Sequence, residues 1–257
     1  MQNSDRKKEF IKIMDGLDNS KSRYDHFRNF CEMAYCAIAK TTAPDQKTVD
    51  ELEACYMAVV NSYANKDDVR KIPELLTLTV MALSDGGCDF LGELASELEF
   101  LDARAGQFFT PYEISKLLAH LNLGDAGAII NDQGFITVSD PAAGAGCTIL
   151  AAADILTDQG YILEECMSVH VIELSKMTYH MLYVQLALKG IAAMVIHGNS
   201  LTLETFEIAY TPCARIFVGK HGRLFNKSQD PESKDSPRAN IIIEPIINST
   251  QLDFFAA

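Results

Sequence analysis

The chain has 257 residues, with 22 lysines and arginines against 35 aspartates and glutamates for a net charge of −13, and 48% of its residues are apolar. That supplies core material for one large domain or two modest ones, and it is too apolar for a disordered chain. No run of about 18 apolar residues occurs, and the opening stretch Met1–Phe10 lacks an apolar signal core, so the expected location is the cytoplasm. Acidity of this size argues against a stand-alone nucleic-acid binder, whose footprint is basic.

The charge is uneven. Residues 1–28 carry seven basic against five acidic side chains, residues 220–240 five against three, and residues 29–219 ten against 25. An acidic body with mildly basic ends fits a solvated surface, or local basic contacts on an otherwise repelling body. The seven cysteines are odd in number, form no Cys-x-x-Cys pair and stand clear of the six histidines. Neither a metal site nor a disulfide framework is expected, nor covalent catalysis.

In chain order, the first hundred residues read as helices. Phe27, Phe30, Cys31, Ala34 and Ile38 recur at helical spacing, as do Leu52–Tyr63 and Ile72–Leu83. Gly86-Gly87 breaks the third pattern, and a shorter helix is predicted over Leu91–Leu101. Thr110-Pro111-Tyr112-Glu113 predicts a helix start, with Thr110 as N-cap and Pro111 in the first helical position, running to about Leu123 before Gly124. Beyond it, strands at Phe135–Ser139, Val169–Glu173 and Ala193–His197 alternate with helices at Thr148–Thr157 and Lys176–Lys189. Such alternation implies parallel βαβ units in a doubly wound sheet. Arg215–Gly219 and Asn240–Ile247 are two further candidate strands, separated by a polar flexible loop near 220–239. The predicted organisation is a helical N-terminal domain, residues 1–104, followed by an α/β domain, residues 105–257.

The sharpest local feature is Asp140-Pro141-Ala142-Ala143-Gly144-Ala145-Gly146, directly after a strand and before a helix. Glycines there let the backbone turn tightly and come close to a ligand. The spacing is not that of a dinucleotide fingerprint, and no lysine follows to make a P-loop. Glu173 ends the next strand, where a carboxylate can accept hydrogen bonds from both hydroxyls of a ribose. Together they point to an adenosine-containing cofactor; the bland alternative is a structural turn with an exposed glutamate.

The order of Gly106-Gln107-Phe108-Phe109-Thr110-Pro111, the Asp140–Gly146 turn, Val171-Ile172-Glu173-Leu174 and Gly198-Asn199-Ser200-Leu201 resembles the N-6 adenine DNA methyltransferases, closest to the modification subunits of type I restriction-modification systems. The resemblance covers roughly residues 85–205. It implies a Rossmann-like methyltransferase sheet behind the helical segment, and S-adenosylmethionine as cofactor. It places Phe108, Thr110 and Pro111 at the methionine end, with Asp140, Ala142, Gly144 and Gly146 lining it further. Glu173 would hold the ribose, Leu174 would pack on the adenine face, and Asn199 would border its polar edge. The polar hydrogens of the helix start behind Thr110 suit a carboxylate.

The catalytic element departs from the family, which needs Asn or Asp, then Pro-Pro and an aromatic ring. The polar group accepts hydrogens from the adenine amine, and the ring stacks on the flipped base. No Pro-Pro pair occurs in the chain, and the nearest match is Asn240–Ile246, with Glu244 and Pro245 as the candidate catalytic pair. Five candidate strands are fewer than the family's full sheet, and the 13 residues after Glu244 leave no room for a target-recognition domain. The function expected from the resemblance is adenine methylation in DNA, with sequence choice coming from a basic or specificity-conferring protein partner in a homo- or hetero-oligomer. The alternative is a cofactor-binding regulatory subunit that has lost transfer. Methylation of a protein or small molecule finds no specific support.

Overall fold

The computed structural model describes residues 2–100, 110–124 and 126–226. Phe108, Glu244, Pro245 and the candidate strand Asn240–Ile247 lie outside the described residues. The first hundred residues form helices α1 (Asn3–Asp15), α2 (Arg23–Ala39), α3 (Gln46–Asn61), α4 (Lys66–Val69), α5 (Ile72–Asp85) and α6 (Phe90–Glu97). Their starts are chemically marked. Ser22 and Asp25 make a reciprocal capping box on α2, while the side chains of Asp45, Asn65 and Asp89 cap α3, α4 and α6. Gly86, at φ +71°, stops α5. The first helix was not singled out by the sequence pattern, yet it packs inward: the fully buried Phe10 ring meets Phe30 edge-on at 5.2 Å and Phe90 at 6.0 Å.

The second part contains α7 (Tyr112–Asn122), α8 (Ala126–Gln133), β1 (Ile136–Asp140), α9 (Cys147–Asp158), α10 (Leu163–Cys166), β2 (Met167–Glu173), α11 (Lys176–Leu188), β3 (Ala192–Asn199), β4 (Glu204–Tyr210) and α12 (Pro212–His221). The strands lie in the order β1-β2-β3-β4, the first three parallel and β4 antiparallel to β3. Two βαβ units, β1-α9-β2 and β2-α11-β3, therefore match the predicted alternation.

Side chains alternate across the sheet into two apolar cores, as expected of parallel strands covered on both faces. Ala193 and Val195 of β3 join a core with α9, α11 and the N-terminal helices, which runs continuously from Phe10 to Val195 and beyond. Ala192, Met194 and Ile196 point the other way, onto Cys213, Ala214 and Phe217 of α12. Among the described residues no single helix is long and apolar enough to cross a membrane.

Two expectations are corrected. Arg215–Gly219 is not a strand but lies inside α12, which Pro212 opens and Gly222, at φ +71°, closes. These stop signals outweigh the β-branched Ile216 and Val218. The strand is instead Glu204–Tyr210, folding back beside β3. Finally, the first residues of the expected loop, those up to Asn226, are partly helical and packed. Lys220 and His221 finish α12, and Leu224, Phe225 and Asn226 are buried, with the Asn226 backbone N–H donating to Thr137 Oγ1 at 3.1 Å and its side chain to the Phe135 carbonyl at 3.1 Å.

Candidate functional site

Strand pairing sets Asp140 beside Val171 and Glu173 beside His197, so Asp140, Glu173 and Asn199 sit at the carboxyl ends of three adjacent parallel strands. Ligands bind at this edge of an open α/β sheet. The connection from β1 to α9 folds by local hydrogen bonds. Asp140 Oδ1 accepts the Ala142 N–H at 3.0 Å, Ala143 N–H donates to the Ile172 carbonyl at 3.0 Å, and Gly146 N–H donates to the Ala143 carbonyl at 2.9 Å. Gly144 and Gly146 both have positive φ, +58° and +99°. A Cβ on Gly146 would stand 2.8 Å from Leu182 Cδ1, so glycine here answers both the backbone conformation and the seat against α11.

Glu173 bridges this turn to the next one. Its Oε2 accepts the Gly144 N–H at 3.1 Å and its Oε1 the Ser175 N–H at 2.7 Å, and the residue is only 8% exposed. Burial raises its pKa, the amide hydrogen bonds oppose that rise, and the neighbouring Asp140 charge adds to it. The result is a carboxylate held rigidly, with lone pairs left for further hydroxyl donors, beside a second carboxylate. Leu174 follows it at the surface, 58% exposed. Its carbonyl is held at 3.1 Å by His197 Nε2, which must carry the hydrogen because a carbonyl only accepts. Burial lowers the His197 pKa, which favours that neutral ring. Asn199 Oδ1 is committed to the Leu201 and Thr202 N–H groups at 3.0 and 3.2 Å, so the side chain has its amide nitrogen to offer.

Thr110 and Pro111 line a cavity of about 500 Å³ together with Tyr112, Gly87 and Cys147, the residue that follows Gly146. Burial pushes the Cys147 thiol up to about 12, so it presents no thiolate to this space. The predicted cap shifts by one residue. Pro111, extended at ψ 140°, is the N-cap of α7, its carbonyl takes the Ile114 and Ser115 N–H groups, and no side chain caps the helix. Thr110 is thus one residue too early to cap, and what fixes the helix start is the Tyr112 hydroxyl, which donates to the buried Asp154.

The sequence-predicted residues fall into two groups. Asp140, Ala142, Gly144, Gly146, Glu173, Leu174 and Asn199 share the strand-end rim, and Thr110 and Pro111 share a cavity wall with the start of α9. Sequence reading missed Ser175 and His197, which brace Glu173 and Leu174. A turn residue two places after Glu173 was a faint signal for the first, and nothing in the sequence signalled the second. No group of three His, Cys, Asp or Glu side chains among the described residues could hold a metal ion.

Residues 90–231, more than half of the chain, match the sequence model of the N-6 DNA methylase family. The chain belongs to the N-6 DNA methylase family. Membership makes it a methyltransferase with S-adenosylmethionine as cofactor. The site fits that group: a rigid carboxylate suits a ribose diol, an exposed leucine beside it suits a purine face, and two neighbouring carboxylates suit a sulfonium cation. A crystal structure from Listeria monocytogenes, assigned to the class I S-adenosylmethionine-dependent methyltransferases, is 12% identical, covers 86% of this chain and 71% of its own, and has a TM-score of 0.38. No curated protein matches the chain.

Proposed function

We propose that this methyltransferase acts on the exocyclic amine of adenine in DNA, with a basic or specificity-conferring protein partner supplying most of the DNA contact. The observation that supports the cofactor end of this reading is the bridge from Glu173 to the Gly144 and Ser175 N–H groups, which orients a buried carboxylate at the sheet's ligand-binding edge. When bound, the cofactor supplies an electrophilic methyl group on a sulfonium centre. Glu173 would accept the ribose hydroxyls, Leu174 would pack on the adenine face, and the Asn199 amide nitrogen would donate to that ring's edge. Asp140 and the Gly144–Gly146 backbone would border the methionine part, and Phe108, Thr110 and Pro111 are assigned to the same end by sequence order. Glu244 would accept an amine hydrogen of the target base and the Pro245 backbone would border it, an assignment that rests on sequence order.

A second reading is a subunit that binds the cofactor without transferring, and the absence of any Pro-Pro pair favours it. One experiment separates the two. The purified protein is incubated with methyl-labelled S-adenosylmethionine and unmethylated genomic DNA, alone and with the products of neighbouring genes. Label in the DNA is expected with the partner present, and its persistent absence refutes transfer. Calorimetry then tests the pocket: Asp140→Ala and Glu173→Ala should each weaken cofactor binding at least about ten-fold, since each removes a charge-assisted contact. Folded variants that bind as tightly as the parent would refute the assignment.

A further inference from the structure

Gln185 sits in the middle of α11, fully buried, with every polar group of its amide engaged. Its Nε2 donates to the Ala145 carbonyl at 2.9 Å and to Asp89 Oδ1 at 2.7 Å, and its Oε1 accepts the Leu91 N–H at 3.0 Å. Asp89, in turn, caps α6 by accepting the Gly92 N–H at 3.0 Å. One side chain thus joins the glycine-rich turn to the start of α6, whose Asp89 and Leu91 are more than ninety residues from Gln185 in sequence.

The Ala145 carbonyl is a consequential place to attach. It belongs to the peptide unit between Ala145 and Gly146, and glycines at positive φ stand on both sides of Ala145. A peptide plane next to such a glycine can rotate at little steric cost. Here its two ends are held: the carbonyl by Gln185, the N–H by the Ala143 carbonyl at 2.9 Å. A methionine at 185 would fill similar volume without donating, so packing alone does not require the amide.

We propose that Gln185 is a positioning residue for cofactor binding, fixing the Ala145–Gly146 peptide plane so that the turn is already in its binding conformation before the cofactor arrives. The proposal rests on the reading of this turn as the S-adenosylmethionine site. Preorganisation of this kind raises affinity by removing an ordering step from binding.

The test compares Gln185→Met with Asp89→Asn in the full chain. Both alter the same buried network, but asparagine at 89 keeps an acceptor for Gln185 and Gly92 and leaves the Ala145 contact in place. Two readouts are taken: calorimetric affinity for S-adenosylmethionine, and hydrogen exchange of the backbone amides from Ala143 to Cys147. Gln185→Met should bind about ten-fold more weakly, the scale of one hydrogen bond. Its turn amides should exchange faster, while those in the middle of α9 and α11 keep their protection. Asp89→Asn should match the parent in both. Should Gln185→Met not fold, Gln185→Asn, one methylene short of the Ala145 carbonyl, takes its place with the same expectations. Parent-like affinity and exchange in a folded variant at 185 would overturn the proposal. So would faster exchange spread evenly over α9 and α11, which marks a merely structural role. If the parent itself does not bind S-adenosylmethionine, the cofactor reading fails and the exchange pattern still decides whether Gln185 fixes the turn.

Discussion

Asparagine in place of Asp154 should destabilise the protein by about 3–5 kcal/mol, the usual result of breaking a buried ion pair from one side. The carboxylate is a hub between four elements. Lys189 Nζ lies 2.6 Å from Oδ1 with both side chains only 11% exposed, while Oδ2 accepts the Gly87 N–H at 2.6 Å and the Tyr112 hydroxyl. Burial and the Asp154 charge both push the Tyr112 pKa upward, so the phenol remains a donor at any working pH. Without the charge, Lys189 retains the Leu83 carbonyl at 3.0 Å as its one remaining hydrogen-bond acceptor among those described, and an asparagine amide turned towards it would oppose donor to donor. Removing the cation as well, in Asp154→Asn with Lys189→Met, should restore part of the loss. The coupling between the two sites should amount to about 1–3 kcal/mol. Urea unfolding of the parent, both single variants and the double variant measures it, provided all four share one m-value. Costs that add within about 0.5 kcal/mol would refute the argument, because independent sites behave that way.

Two further outcomes follow from the same interior. Gly146→Ala combines a φ of +99° with a Cβ placed 2.8 Å from Leu182 Cδ1, and should destabilise by about 2–4 kcal/mol from backbone strain and overpacking together; an unchanged urea midpoint would contradict the geometry. Burial raises the Asp89 carboxyl to about 6 from 3.8, against the hydrogen bonds from Gln185 and Gly92 and with a smaller push from the Glu93 charge. Between about pH 4 and pH 6 the native state then holds a proton that the unfolded chain has released, so stability falls as pH rises through this window. The full effect is about 3 kcal/mol above pH 6, at about 1.4 kcal/mol per pH unit. Asp89→Asn should lose this slope, so its stability relative to the parent should be higher at pH 7 than at pH 4. Parallel stability profiles for the two proteins would show that Asp89 does not titrate this way.

The βαβ units were legible because each strand is a short apolar run and each turn is punctuated. Asp140 to Gly146 separates β1 from α9, and Gly190 separates α11 from β3. Strand β4 was not, although Thr205, Glu207 and Ala209 alternate with Phe206, Ile208 and Tyr210, because its exposed outer residues break any apolar run. Helix α12 was misread from its β-branched residues, which tertiary packing of Ala214 and Phe217 overrides. The rim residues could be found by motif order, since a backbone turn and a strand end are local features. Gln185, Asp89 and Asp154 could not, because their chemistry exists only after segments far apart in sequence are folded together.

The charge distribution bears on the proposal that a partner supplies most of the DNA contact. The basic N-terminus is one of the two segments, with residues 220–240, whose charge suits phosphate contact, but it folds into the helical layer and its cations are engaged there. Arg6 pairs with Asp85 at 2.6 Å, Lys7 with Glu97 at 3.1 Å and Arg23 with Asp15 at 2.5 Å, while Lys8, Lys12 and Arg28 pair within their own helices. Lys21 lies over the Tyr63 ring at 5.2 Å. The exposed pairs among these, such as Lys8–Asp5 and Lys12–Glu9, add little stability. Their effect on DNA is larger, since an acid within 4 Å of each of these ion-paired cations cancels the potential that would attract a phosphate. Affinity for DNA comes from neutralising phosphates with free Lys and Arg. N-terminal cations neutralised in this way, on a chain of net charge −13, support the proposal that a basic partner supplies the phosphate contacts.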